Sequence, residues 1–339
     1  MKVHLNTLFV TRENTYLARD GMTVDVRQEG KSLLRVPLHN LDGIVALGWD
    51  IGASNQLMAA CAEAGVTLSF CSPFGKFMAA VRGFATGNIL LRRAQYRVAD
   101  TPAATAKLSA AFVSAKLANC RTVLLRAARD HGEDEALTVM ARRLRRGAEE
   151  VCAAADGEVI RGIEGEGAAV YFSVFGKLLQ TDGFGFRERV RRPPTDPVNA
   201  LLSFAYAMLA HDCRSALESV GLDPQCGFLH RDRPGRASLA LDLMEEFRPV
   251  LADRAALTVL NRRQLALTDF TRRETGAVEL TEAGRKVFLT HWQERKQDEI
   301  THPFLEEKIS VGLLPFVQAR LLARAVRGDL DAYPAYLWR

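Results

Sequence analysis

The feature that most constrains the fold is a change of hydrophobic period near residue 85 of the 339-residue chain. Before it, short strand-like runs lie between turn formers and give a β-rich segment. They are Val3–Val10, Tyr16–Arg19, Thr23–Arg27, Leu33–Leu38, Gly43–Leu47, Val66–Cys71 and Phe77–Val81. Turn formers such as Arg19-Asp20-Gly21 and Glu29-Gly30-Lys31 separate them, and a single helix is expected from about Asn55 to Ala64, stopped by Gly65. After a hinge at about Ala85–Asn88, apolar residues recur at helical spacing. The pattern predicts an α+β protein. A small N-terminal β-sandwich-like domain of antiparallel strands, residues 1–86, precedes a larger all-α domain, residues 87–339. Two domains suit this length, and 48% apolar residues suffice for two cores.

Chemistry is absent from the first domain, where His39 and Asp50 stand isolated, so function is sought among the helices. In residues 161–180, Glu164, Ala168, Tyr171, Phe175 and Leu178 fall on one helical stripe. Glu164 is thus in line with a buried face, where a carboxylate is costly unless paired or bound to metal. Arg161, one turn earlier, is the structural partner on offer. Gly162, Gly165 and Gly167 each cost this helix about 1 kcal/mol relative to alanine, and such glycines often mark close approach of a backbone or ligand.

A second stretch, Cys226–Pro249, carries His230 after an apolar run, then a basic turn with Arg231, Arg233 and Arg236. A helix follows that should open near Ser238 and stop before Pro249. Asp242, Glu245 and Glu246 share one sector of it. A histidine with carboxylates suits a divalent metal, and the arginines suit a phosphate-bearing substrate; a solvated acidic face is the plainer reading.

Net charge is only +5, from 45 basic and 40 acidic residues, so nucleic-acid affinity would have to come from clustering. Candidate clusters are Arg92, Arg93 and Arg97 around Tyr96, the run Arg142–Arg146, and a loop at 181–199 with Arg191 and Arg192 before Pro193-Pro194. Cysteines 61, 71, 120, 152, 213 and 226 form no CxxC pair and read as buried thiols of a reducing cytoplasm. No uninterrupted apolar run reaches the ~18 residues of a membrane span. His211-Asp212 looks like the HD pair of metal phosphohydrolases but lacks the further histidines. Residues 253–294 suggest a helix, a hairpin at Ala266–Arg272 and Ala277–Leu280, and a helix from Thr281. That order supports a competing class, a winged-helix-type DNA-binding regulator without catalysis, and it leaves Glu164, His230 and the acidic trio without a purpose.

Taken together, Arg161-Gly-Ile-Glu164-Gly, Gly227-Phe-Leu-His230 and Ser238-Leu-Ala-Leu-Asp242-Leu-Met-Glu245-Glu-Phe-Arg-Pro resemble the CRISPR-associated endonuclease/integrase of the adaptation module. Leu5–Val10, Val36–Val45, Gly87–Arg97 and Asp196–Phe204 extend the resemblance over nearly the whole chain, toward the type I-C branch. The resemblance implies a metal held by Glu164, His230 and Glu245, with Asp242 as a further catalytic acid beside it. It implies Mg²⁺ or Mn²⁺, which suit two carboxylates and an imidazole better than Zn²⁺ does. It implies attack by the 3′-hydroxyl of a foreign DNA fragment on the repeat of a CRISPR array, with no protein nucleophile. The expected partners are double-stranded and branched DNA, a second copy through the N-terminal domain, and a small ferredoxin-like adaptation protein. Arg161 and Arg236 are the expected phosphate contacts. His230 must be neutral to ligate, so activity should fall in acid.

Overall fold

The computed structural model describes residues 7–41, 43–73, 77–81, 83, 89–132 and 134–338. The expected hinge at 85–88 and the start of the first strand, residues 3–6, lie outside the described residues.

In chain order the first part runs β1 (Thr7–Val10), β2 (Thr15–Asp20), β3 (Thr23–Gln28), β4 (Lys31–Pro37), β5 (Gly43–Leu47), β6 (Ile51–Ala53), α1 (Asn55–Ala64), β7 (Thr67–Cys71) and β8 (Phe77–Val81). Two sheets form, ordered β1-β5-β7-β8 and β4-β3-β2-β6. The expected all-antiparallel arrangement is corrected here. β1 pairs β5 in parallel, β5 pairs β7 in parallel, and β2 pairs β6 in parallel. Parallel neighbours need a crossover. α1 supplies the one between β5 and β7, capped by the Ser54 side chain at its start and by left-handed Gly65 at its end.

Alternation along β5 divides it between two cores. Ile44 and Ala46 pack with Leu17 and Val24 of the other sheet and Leu57 of α1, while Val45 and Leu47 join the helical core on the opposite face. One sheet is thereby covered on both sides.

The helical part comprises α2 (Ile89–Ala99), α3 (Pro102–His131), α4 (Glu135–Ala153), α5 (Gly157–Ser173), α6 (Pro197–Ser219), α7 (Ser238–Glu245), α8 (Arg254–Asn261), α9 (Glu282–Gln297) and α10 (Leu314–Arg327). Two short antiparallel hairpins interrupt it. β9 (Phe270–Arg272) pairs β10 (Val278–Leu280), and β11 (Glu299–Thr301) pairs β12 (Lys308–Ser310). The second hairpin is too short to leave a pattern in the sequence. α3 has the length and composition of a membrane span, but its most apolar window is 67% buried within the protein, so it serves here as the core helix.

α3, α4 and α5 pack side by side. Of the four glycines in α5, only Gly167 marks a close approach. A Cβ there would stand 2.2 Å from Leu117 Cδ2 of α3, whereas Gly162 and Gly165 face open space. Proline does not end the chain's helical course after α7. Residues Arg248–Asp253 form a wider helical turn that leads straight into α8, with Pro249 in its first turn, where a missing N–H is tolerated.

Candidate metal centre

Four segments converge: α5 with Glu164, α7 with Asp242 and Glu245, the loop before α7 with His230, and α3 with Lys116. The loop is fixed first. Gln95, fully buried on α2, donates to the Asp223 and Cys226 carbonyls at 2.8 and 2.9 Å and accepts from the Asp223 N–H at 2.8 Å. Gly227 is required at the bend, since a Cβ would meet Ser238 Cβ at 2.7 Å and the His230 carbonyl at 2.9 Å. Arg161 Nη1 donates to the Leu229 carbonyl at 3.1 Å.

Asp242 completes the turn. It is 0% exposed. Its Oδ2 accepts from the N–H groups of Phe228 and Leu229 at 2.6 and 3.0 Å, and its Oδ1 accepts from the His230 N–H at 2.9 Å and from His230 Nδ1 at 2.6 Å. An ionised carboxylate only accepts, so the imidazole proton sits on Nδ1 and the Nε2 lone pair is available. Asp242 therefore orients His230 from behind, with both its oxygens engaged.

Glu245 faces Glu164 across Lys116. The Lys116 ammonium is hydrogen-bonded to Glu164 Oε1 and lies 2.6 Å from Glu245 Oε2. Arg248 Nη1 adds contacts of 2.8 and 3.1 Å to the two Glu245 oxygens. Burial pushes the Glu245 carboxyl up, but Arg248, Lys116 and His230 outweigh it and hold the group well below the usual carboxylate range.

Glu246 turns the other way. It accepts from the Tyr333 hydroxyl, the Tyr336 N–H and, at 3.1 Å, Gln318 Nε2. Burial raises its carboxyl to about 7 against those donors. The C-terminal aromatics thus acquire a role, since they close the back of α7. Trp338 continues the closure, with Arg126 at 3.8 Å and Arg254 at 4.4 Å from its ring centre.

The expected common sector is therefore corrected: Asp242, Glu245 and Glu246 address three separate partner sets. The expected Arg161–Glu164 pair is replaced by Lys116–Glu164, while Arg161 pairs with Glu158, which also takes Arg231. Among the described residues no group of three His, Cys, Asp or Glu side chains is gathered tightly enough to hold an ion as placed. The donor set nonetheless fits a hard divalent cation. Two carboxylates from different helices already share one positive charge, the Lys116 ammonium, and an imidazole with a free Nε2 stands on the adjoining loop. A polar cleft of about 520 Å³, lined by Tyr96, Asp100, Arg161, His230 and Arg231 among others, opens beside it.

Sequence reading missed Lys116, Arg248 and Gln95. Lys116 had a signal: it lies in the four-residue row of Leu108, Phe112 and Cys120, all buried. Among the expected DNA contacts, Arg93 and Arg97 on α2 and Arg191 and Arg192 in the 181–196 loop are exposed, Arg92 and Arg236 are half-buried, and Arg161 is turned inward. His211-Asp212 is structural, since Asp212 pairs with Lys296 at 2.7 Å. The region 253–294 has the expected helix, hairpin and helix, yet α8 is buried along most of its length and offers no face to a groove.

A family model described as "CRISPR associated protein Cas1" matches residues 8–294. The chain is 53% identical to "CRISPR-associated endonuclease Cas1 2" of Rhodospirillum rubrum and 50% identical to "CRISPR-associated endonuclease Cas1 1" of Chlorobaculum tepidum, each over 100% of both chains. Among solved structures it is similar to "Casposase bound to integration product", with a TM-score of 0.86 at 21% identity over 98% of this chain and 94% of that one, a likeness of fold.

Proposed function

The chain belongs to the Cas1 family of CRISPR-associated proteins, and we propose that it is a metal-dependent DNA endonuclease and integrase that inserts foreign DNA fragments as new spacers into a CRISPR array. The observation that carries the reading is the convergence of Glu164 and Glu245, from two helices, on one buried cation beside a histidine whose Nδ1 is tied down. Glu164, Glu245 and His230 Nε2 are the residues that would hold the ion, Mg²⁺ or Mn²⁺. When bound, it supplies Lewis acidity, polarising a phosphate and offsetting charge on the attacking and leaving oxygens.

The chain's own residues do the rest. Asp242 fixes the imidazole tautomer and aim, a positioning task that second-layer carboxylates perform for ligating histidines. Arg161 pins the carbonyl next to His230 and so holds the turn rather than a phosphate. The phosphate contacts fall to exposed Arg93, Arg97, Arg191 and Arg192, with Arg92 and Arg236 at the margin. The nucleophile is a DNA 3′-hydroxyl, or water when the strand is nicked, so no protein side chain forms a covalent bond.

Assembly follows from the N-terminal sheets. β4 is an edge strand that exposes Leu33 and Leu34, and Tyr16 of β2 and Met22 of the β2–β3 turn are exposed as well. An apolar open edge suits a second copy of the chain. Two active sites held apart in a dimer, joined through a small ferredoxin-like partner, would serve the two strands of a repeat. Six free thiols favour a cytoplasmic setting.

The test is cleavage and strand joining on branched and repeat-containing DNA with Mn²⁺ against EDTA. Wild type is expected to act only with metal, and His230→Ala and Glu164→Ala to be inactive while still binding DNA. Binding by all three proteins without any cutting or joining would sink the reading.

A further inference from the structure

Lys116 sits where a lysine is costly. It is 4% exposed, on the core helix, in a row with Leu108, Phe112 and Cys120. A buried ammonium is tolerated only when matched by charge. It is matched twice, by Glu164 and by Glu245. Neutralising Glu245 does not require it, because Arg248 already engages both oxygens of that carboxylate at 2.8 and 3.1 Å. What Lys116 alone does is join Glu245 to Glu164, the two carboxylates assigned above to the metal.

We infer that Lys116 is a resident counter-cation of the metal centre. Its ammonium keeps Glu164 and Glu245 facing each other while no ion is bound, and an ion enters between them only by displacing it. The inference rests on the metal-centre reading proposed above. A +1 and a +2 charge cannot share the same pair of oxygens without strong repulsion at low local dielectric. Lysine suits the task because its charge is a compact point on a flexible four-carbon stem, able to withdraw, whereas a planar guanidinium would bind a carboxylate more permanently. The consequence is a protein whose acidic pair stays ordered without metal and whose metal affinity is set below that of the bare carboxylates. It would load only when free metal is abundant enough to win the exchange.

The experiment is Mn²⁺ titration of the purified full-length protein without DNA, following free Mn²⁺ by electron paramagnetic resonance and the melting temperature in parallel. Wild type is compared with Lys116→Met, Lys116→Gln and Glu164→Gln; the glutamine variant at 116 covers the case in which methionine impairs folding. Both Lys116 variants are expected to melt lower than wild type in EDTA. They are also expected to bind Mn²⁺ roughly tenfold more tightly or better, with a larger Mn²⁺-induced rise in melting temperature. A merely structural lysine would leave Mn²⁺ affinity unchanged or weaker on removal. If the Lys116 variants bind Mn²⁺ no more tightly than wild type while Glu164→Gln weakens binding, Lys116 does not compete with the ion: the inference is overturned and the metal centre stands. Should wild type and Glu164→Gln take up Mn²⁺ alike, the metal centre itself is refuted and the inference falls with it.

Discussion

Replacing Asp242 by asparagine tests the positioning role assigned to the carboxylate behind His230. Asp242 has no exposed surface and accepts four hydrogen bonds, from three consecutive backbone N–H groups and His230 Nδ1. Asparagine fits the space but turns one acceptor into an NH₂ donor. With its NH₂ toward Phe228 and Leu229 it faces two backbone donors; turned toward His230 it faces one, the His230 N–H, because the imidazole can move its proton to Nε2 and accept on Nδ1, which masks the ligating lone pair. Hydrogen bonds to a charged acceptor contribute about 1.5–3 kcal/mol each, and breaking a buried network costs about 3–5 kcal/mol. At roughly 1.4 °C per kcal/mol for a chain of this size, the metal-free protein should melt about 4–7 °C lower. His230→Ala removes a partly exposed side chain and one hydrogen bond, and should shift melting by no more than about 3 °C while abolishing cleavage. The assay is differential scanning fluorimetry in EDTA, beside strand cleavage in Mn²⁺. If Asp242→Asn melts within about 2 °C of wild type and keeps wild-type Mn²⁺ binding and cleavage, Asp242 neither holds the turn nor sets the imidazole tautomer, and the positioning argument is wrong.

Glu246→Gln should abolish a pH dependence. Burial raises the Glu246 carboxyl from 4.5 to about 7, so the wild type carries a stability contribution that is full below about pH 4.5 and lost as pH rises through 7. Urea titrations should find the variant close to wild type at pH 5 and more stable at pH 8, by at most about 3 kcal/mol; parallel pH profiles would count against the buried-acid assignment. Gly167→Ala forces a methyl to 2.2 Å from Leu117 Cδ2; overpacking of this kind costs about 1–3 kcal/mol and the gain in helix propensity offsets about 1, so a net loss of up to about 2 kcal/mol should be read from the urea midpoint. It should also lower activity by moving α5, and with it Glu164, away from α3. The double variant Arg191→Ala/Arg192→Ala should weaken DNA binding without altering Mn²⁺ affinity. It should flatten the plot of log affinity against log salt by up to about 2 in slope, and an unchanged slope would remove this loop from the interface.

The strands at Gly43–Leu47 and Phe77–Val81 and the helix at Asn55–Ala64 agree with the sequence reading to the residue, because each is bounded by a strong local signal. The parallel pairing of β1, β5 and β7 was not legible, since alternation fixes which face a side chain takes and says nothing of its neighbour's direction. β6 was missed because three residues, Ile51-Gly52-Ala53, are too few to show a period.

The site shows the same division between local and distant causes. Helical spacing permits Arg161 to pair with Glu164 or with Glu158, each three residues away. What decides is the Leu229 carbonyl, 68 positions along the chain, which draws the guanidinium toward the loop and leaves Glu164 to a lysine from another helix. Similarly, Asp242, Glu245 and Glu246 are equivalent by sequence. Backbone N–H groups of the preceding loop claim Asp242, and Tyr333 and Tyr336, nearly ninety residues later, claim Glu246. Glu245 is left to face Glu164 because the other two acids are occupied, so which acid faces Glu164 is fixed by packing behind α7. The rule that singled out Glu164, a charge in line with a buried stripe, applies equally to Lys116 in the row Leu108, Phe112, Cys120. Two such charges of opposite sign on different helices of one chain already predict a contact between those helices, and α3 and α5 make it where Gly167 lets them close.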